Sequence, residues 1–219
     1  MFFLLVNNFY LNTFLILLIC YLIGSIPTAY IAGKLKGIDI SSKGNKNVGA
    51  SNTFFVLGKT AGTIVLLIDL AKGYLSAWLA TLFSGSHPFI PMLAVTFVII
   101  GHNWMFPIGF KGGKGTAALV GALAYFAPLS VPVFILLLVP LASFLVRDSF
   151  LGHGIAMFIF AFIMWLWEKN YWWAVFMLLV TLVYSLRCLD LYKTYFTEKR
   201  RYMNPLIKML FKLFLRKKA

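Results

Sequence analysis

Charged residues are scarce in this chain, at 12% of the sequence, and only six of them are acidic. So little charge excludes an ordinary soluble globular domain, whose surface needs about twice as much. Cysteine is limited to Cys20 within one apolar run and Cys188 at the end of another, so no disulfide framework or zinc spacing is present. No Ser-His-Asp order, cysteine nucleophile or metal-ligand cluster stands out. The first lysine is Lys34, so the N-terminus lacks the basic n-region of a secretory signal and its apolar run is expected to be retained. Internal repeats and low-complexity linkers are also missing.

What is present is hydrophobic: 61% of the 219 residues, with a mean hydropathy of +0.88. The apolar residues predict an all-α polytopic membrane protein of about seven spans, near 13–32, 60–83, 88–104, 115–127, 129–146, 152–167 and 171–187. A backbone crossing lipid must satisfy its own hydrogen bonds, which makes these segments helices. The fourth is short for a span. A net charge of +14 hints at nucleic acid, but the apolar runs leave no soluble domain to bind it. The basic residues serve better as topology signals. Lys34, Lys36, Lys43, Lys46 and Lys59 lie in the first loop, Lys111 and Lys114 in the third and Arg147 in the fifth, and ten more follow from Arg187 onward. Lys72 falls inside a span and Lys169 on the opposite side. This bias places the N-terminus outside and the tail in the cytoplasm. The expected organisation is a membrane domain over 1–187, with site loops 34–59, 101–115 and 147–151, and a basic amphipathic tail over 188–219 lying on the anionic leaflet. Trp165, Trp167, Tyr171, Trp172 and Trp173 form an interfacial aromatic belt.

Six of the 17 glycines lie between Gly101 and Gly121. Within that stretch, Lys111-Gly112-Gly113-Lys114-Gly115 leads straight into a helix start. Glycine lets successive N–H groups converge on an anion, lysine supplies charge, and a helix N-terminus favours phosphate. Lys114 is followed by Gly115, and no strand precedes the run, so it is not a Walker A loop. The alternative is a flexible, positively charged turn. In the first loop, residues 41–52 are rich in small and amide side chains suited to phosphate and hydroxyl oxygens. Asp69 and Lys72 lie deep in an apolar run at i, i+3, where each unpaired charge would cost roughly 2.5–3.5 kcal/mol. They are read as an ion pair fastening the bundle, as a charged wall of the site, or both. His102 is a candidate general base, or a residue that holds the glycine turn in shape.

These pieces together resemble the bacterial acyl-phosphate:glycerol-3-phosphate acyltransferases of the PlsY type. The match runs from Gly24-Ser25-Ile26-Pro27 through Asn47-Val48-Gly49-Ala50-Ser51-Asn52 and Asp69-Leu70-Ala71-Lys72-Gly73 to Gly101-His102 and the glycine loop, covering about residues 20–125. The resemblance implies seven spans with the N-terminus out, acyl transfer from acyl phosphate to glycerol 3-phosphate, and no cofactor or metal. It also implies a bacterial cytoplasmic (inner) membrane location, with membrane lipids as partners. Lys111, Gly112, Gly113, Lys114 and Gly115 would hold a phosphate. Lys43, Asn45, Lys46, Asn47, Gly49, Asn52, Asp69, Lys72, Arg147 and Ser149 would line the acceptor site, and Asn47, His102 and Lys114 are the candidates for chemistry.

Several positions depart from the family pattern. Gly44-Asn45-Lys46-Asn47 stands where the family usually has Gly-Ser-Gly-Asn. Phe55 and Ser41 occupy positions where basic residues are common, and Phe150 precedes Leu151 where a serine is usual. The tail lacks the family's His-Arg and Asn-Ile run. The leading expectation is therefore an acyltransferase of phospholipid synthesis acting on glycerol 3-phosphate or a related phosphorylated acceptor. The alternative is a non-catalytic or repurposed relative that binds, or transports, a phosphorylated lipid or metabolite.

Overall fold

The structure, a computed structural model, describes residues 9–84, 87–141 and 149–198. Its helices are α1 (Phe9–Gly24), α2 (Thr28–Leu35), α3 (Ala50–Leu57), α4 (Lys59–Phe83), α5 (Phe89–Asn103), α6 (Thr116–Phe126), α7 (Ser130–Pro140), α8 (Ser149–Glu168) and α9 (Tyr171–Glu198). Among the described residues there is no strand, only an isolated antiparallel bridge between Met105 and Lys111. The all-helical expectation holds among the described residues, where each of the seven apolar segments overlaps a helix and the first overlaps two.

Three stretches are long and apolar enough to cross a membrane: Phe9–Leu35, Lys59–Phe83 and Tyr171–Leu189. Four shorter apolar helices accompany them. Among them α6 has 11 residues and rises about 16 Å, roughly half the hydrocarbon thickness. The molecule's outside is as apolar as its inside. Leu67, Phe158, Phe162 and Leu182 are more than half exposed, as suits a surface solvated by lipid chains.

The first segment, expected as continuous over 13–32, is broken between Gly24 and Thr28. Pro27 has no N–H to donate and pushes Ile26 out of helical geometry, so the ladder stops there. Part of the first loop is in turn helical, since α3 carries Asn52, Thr53 and Leu57 as its buried face. Residues 187 and 188, expected at a domain boundary, lie within the unbroken α9. The basic tail beyond Glu198 lies outside the described residues.

Two close crossings hold the helices that frame the site. A Cβ at Gly73 of α4 would fall on the carbonyl of Ala118 in α6, and one at Gly121 would fall on the carbonyl of Leu70. The α1–α5 crossing repeats this arrangement, with Gly24 against Val98 and Gly101 against Tyr21. Small residues let backbones approach where lipid offers no hydrophobic drive for association. A large buried cluster fills the bundle between these helices. A second, smaller one (Ala29, Ile40, Val48, Leu57, Val65 and Met105) underlies the first loop.

Candidate active site

The site is assembled on the break between α1 and α2. With α1 ended at Gly24, the carbonyl of Ile26 accepts the N–H of Thr28 at 3.0 Å and Lys72 Nζ at 2.7 Å. The same ammonium donates to Asp69 Oδ1 at 2.7 Å and to Thr28 Oγ1 at 3.2 Å. Thr28 Oγ1 donates to Asp69 Oδ1 at 2.8 Å. Asp69 and Lys72 are 1% and 3% exposed, so only this full set of partners makes their burial affordable. All three protons of the ammonium have acceptors, and the pair therefore fastens the α1–α2 break to α4.

The first loop is held by Asn52, which is completely buried. Its Nδ2 donates to the carbonyls of Ile40 at 3.1 Å and Lys43 at 3.0 Å, and its Oδ1 accepts the N–H of Asn45 at 3.0 Å. Asn52 is thus occupied in shaping the loop. Asn45 makes the next turn, its Oδ1 accepting the N–H of Asn47 at 3.1 Å. Between them Lys46 sits at φ 61°, a left-handed conformation that costs a non-glycine residue about 1 kcal/mol. Glycine, which the family resemblance implies at this position, would adopt the same conformation without that cost. At the loop's start, Ser41 donates to Asp39 Oδ1 through its hydroxyl at 2.7 Å and its N–H at 3.0 Å, which holds the Asp39 carboxyl below its ordinary pKa.

The glycine loop closes against α5. Met105 N–H donates to the Lys111 carbonyl at 3.1 Å, and Gly113 N–H to the His102 carbonyl at 3.0 Å. Phe110 and Gly109 between them both adopt positive φ. His102, 3% exposed, lies under the loop: its Nδ1 is 3.7 Å from Asp69 Oδ1, and a Cβ on Gly113 would fall on its Nε2. The imidazole is packed between the buried ion pair and the loop backbone. Gly115, at φ 75°, begins α6, and a Cβ there would crowd Ile99 and Asn103.

The two loops meet at one atom. The carbonyl of Gly112 accepts the N–H of Val48 at 3.4 Å, joining the Asn47–Asn52 segment to the glycine loop. Arg187 of α9 reaches the same place. Its guanidinium donates to the Gly112 carbonyl at 2.8 Å and, through Nε, to the Gly113 carbonyl at 3.1 Å. Sequence reading assigned Arg187 only to the topology signal. Its position in the last span, ahead of the remaining tail cations, was the available clue.

Among the described residues, several buried polar atoms around this junction have no hydrogen-bond partner: Asn47 Oδ1, both amide atoms of Asn103 and Thr116 Oγ1. Such groups cost about 1–3 kcal/mol each when unsatisfied, which marks them as ligand-facing candidates. Asn103 and Thr116 are additions that sequence reading missed, although both flank the glycine loop. The structure thus brings Asn47, Gly49, Asn52, His102 and the glycine loop together, with the Asp69–Lys72 pair behind His102. Arg147 and the side chain of Ser149 lie outside the described residues. Among the described residues, no three His, Cys, Asp or Glu side chains gather as metal ligands would.

Comparison with known proteins follows the same lines. The family described as glycerol-3-phosphate acyltransferase matches residues 14–193. The chain belongs to the glycerol-3-phosphate acyltransferase family. It is a membrane acyltransferase of phospholipid synthesis. It is similar to glycerol-3-phosphate acyltransferase 2 of Dehalococcoides mccartyi, at 38% identity over 168 residues covering 76% of this chain and 79% of that one. Over 106 residues it is 49% identical to glycerol-3-phosphate acyltransferase of Shouchella clausii, covering 48% of this chain and 52% of that one. Its fold matches the crystal structure of PlsY (YgiH), an integral membrane glycerol 3-phosphate acyltransferase solved in its glycerol 3-phosphate form. That match has a TM-score of 0.75 at 24% identity and covers 91% of this acyltransferase and 98% of the solved chain.

Proposed function

We propose that the acyltransferase moves an acyl group from acyl phosphate to glycerol 3-phosphate, at a cytoplasmic site of a seven-span bundle whose N-terminus is outside. The observation that carries this reading is the Val48–Gly112 contact, which sets the Asn47–Asn52 segment beside the glycine loop. One surface holds the phosphate of one substrate, and its neighbour holds the second substrate close to it. Proximity and charge neutralisation are then the main sources of acceleration.

Lys111, Gly112, Gly113, Lys114 and Gly115 cradle a phosphate at the start of α6, where Thr116 Oγ1 and the Asn103 amide supply further hydrogen bonds. Asn47, with Lys43 and Lys46, borders the acceptor. The acyl chain lies along the apolar helices. The acceptor hydroxyl oxygen attacks the acyl carbonyl carbon, the acyl–oxygen bond to phosphate breaks, and the departing phosphate takes the hydroxyl proton. The product is an acylated glycerol phosphate. His102 acts by holding the loop, since its ring is enclosed between Asp69 and Gly113. The short helix α6 crosses the hydrocarbon only with local thinning of the bilayer or with support from its neighbours.

The site assignment is tested by titrating detergent-purified protein with glycerol 3-phosphate and with inorganic phosphate. Lys114→Ala is expected to weaken binding of at least one of them tenfold or more, the loss of one charge-assisted hydrogen bond of about 1.5–3 kcal/mol. Unchanged affinity for both would overturn the phosphate cradle.

A further inference from the structure

We infer that Arg187 is a positioning residue that fixes the direction in which the glycine loop presents its N–H groups. The inference rests on the reading of that loop as a phosphate holder. A peptide next to glycine turns over at little cost, and reversal of the Gly113–Lys114 peptide would swing its carbonyl oxygen, which repels an anion, to the side where the Lys114 N–H now stands. Glycine cannot be replaced here by something stiffer. A Cβ at position 112 would strike the carbonyls of His102 and Asn103, and one at position 113 would strike the His102 ring. The His102 carbonyl and Val48 restrain the Gly112–Gly113 peptide, and Arg187 adds a restraint that reaches the Gly113–Lys114 peptide as well.

The geometry identifies which peptides are restrained. In a trans peptide the carbonyl and the following N–H point in opposite directions. The Gly112–Gly113 peptide is held at both ends: its carbonyl accepts from Arg187 at 2.8 Å and from Val48, and its N–H donates to the His102 carbonyl at 3.0 Å. In the Gly113–Lys114 peptide the carbonyl accepts Arg187 Nε at 3.1 Å, which aims the N–H of Lys114 away from the guanidinium. One planar fork thus sets two consecutive carbonyls on the side of α9. A lysine has no such fork and cannot address both carbonyls in fixed geometry. Arg187 acts on the substrate through the loop, tying its shape to the placement of the last helix.

The test compares wild type, Arg187→Lys, Arg187→Ala and Lys114→Ala in liposomes. It measures kcat and KM for each phosphorylated substrate, with thermal unfolding of the same preparations. Arg187→Lys keeps the charge and is expected to unfold near the wild-type temperature, yet to raise KM for a phosphorylated substrate about tenfold or more. Methylguanidinium added to Arg187→Ala is expected to recover part of the loss. Wild-type KM in Arg187→Lys would overturn the inference, because charge alone would then suffice. Failure of methylguanidinium to lower the KM of a folded Arg187→Ala protein would also count against it. Lys114→Ala separates the two levels. If it is impaired while Arg187→Lys is normal, only the role of Arg187 falls; if Lys114→Ala binds and turns over normally, the phosphate loop falls and the inference falls with it.

Discussion

Adding one methyl group at position 113 tests how His102 and the glycine loop depend on each other. The Cβ of Gly113→Ala would fall on His102 Nε2 and lie 3.0 Å from the Val48 carbonyl. His102 has little room to retreat, being 3% exposed with Asp69 Oδ1 3.7 Å from its other nitrogen. Overpacking of this kind costs about 1–3 kcal/mol, and the loop must move away from the first loop to relieve it. Gly113→Ala is therefore expected to lower stability by about 2 kcal/mol and to reduce acyl transfer sharply. Truncating the ring in His102→Ala removes buried atoms and is also destabilising. In the double variant the new methyl enters the space the ring has left, so the two costs should fall short of their sum by about 1–3 kcal/mol. Thermal unfolding and transfer rates, measured on the same detergent-purified samples, read both effects. The double variant should be more active than Gly113→Ala alone. If His102→Ala abolishes transfer in both backgrounds while the proteins remain folded, the imidazole takes part in the chemistry and the packing argument is refuted.

Other consequences follow from single contacts. Lys72→Met leaves Asp69 buried with Thr28 as its remaining hydrogen-bond donor among those identified, and should cost about 3–5 kcal/mol in unfolding; adding Asp69→Asn should recover part of that loss. Asn52→Ala removes three hydrogen bonds and should cost about 3 kcal/mol, with faster proteolysis between residues 40 and 52 as the local readout. Lys46→Gly relieves a left-handed backbone and should stabilise the protein by about 1 kcal/mol, visible as a raised unfolding temperature. Asp39 has a depressed pKa in the folded loop, so its contribution is fully present above the ordinary carboxylate value near 4 and is lost as pH falls through the lower folded value. Ser41→Ala should move the Asp39 titration, followed by NMR of the labelled carboxyl, back toward the ordinary value.

The helices were legible because apolar runs bounded by lysine and glycine leave few alternatives, and the glycine loop stood out because its glycines and lysines are adjacent in sequence. Other features depend on partners far away in the chain. Pro27 was visible within the first apolar run, but only Lys72, 46 residues from Ile26, shows why a break there is useful. Asn52 reads as one of several polar loop residues until its amide is seen closing three backbone contacts. Eight residues of α3 were hidden in what reads as a polar loop, since a short helix with Asn52 and Thr53 on its buried face gives no clear apolar stripe. Arg187 lies 74 and 75 residues from the glycines it contacts, and its place at the end of the last apolar run, ahead of the tail cations, is its only local sign.

The central claim is that this surface joins an acyl phosphate to glycerol 3-phosphate. The most direct measurement offers radiolabelled glycerol 3-phosphate to purified protein in liposomes, with acyl phosphate and acyl-CoA supplied separately. The account predicts labelled lysophosphatidic acid from acyl phosphate alone. Product from acyl-CoA alone, or no product from either donor with folded protein and an active reference enzyme alongside, would contradict it.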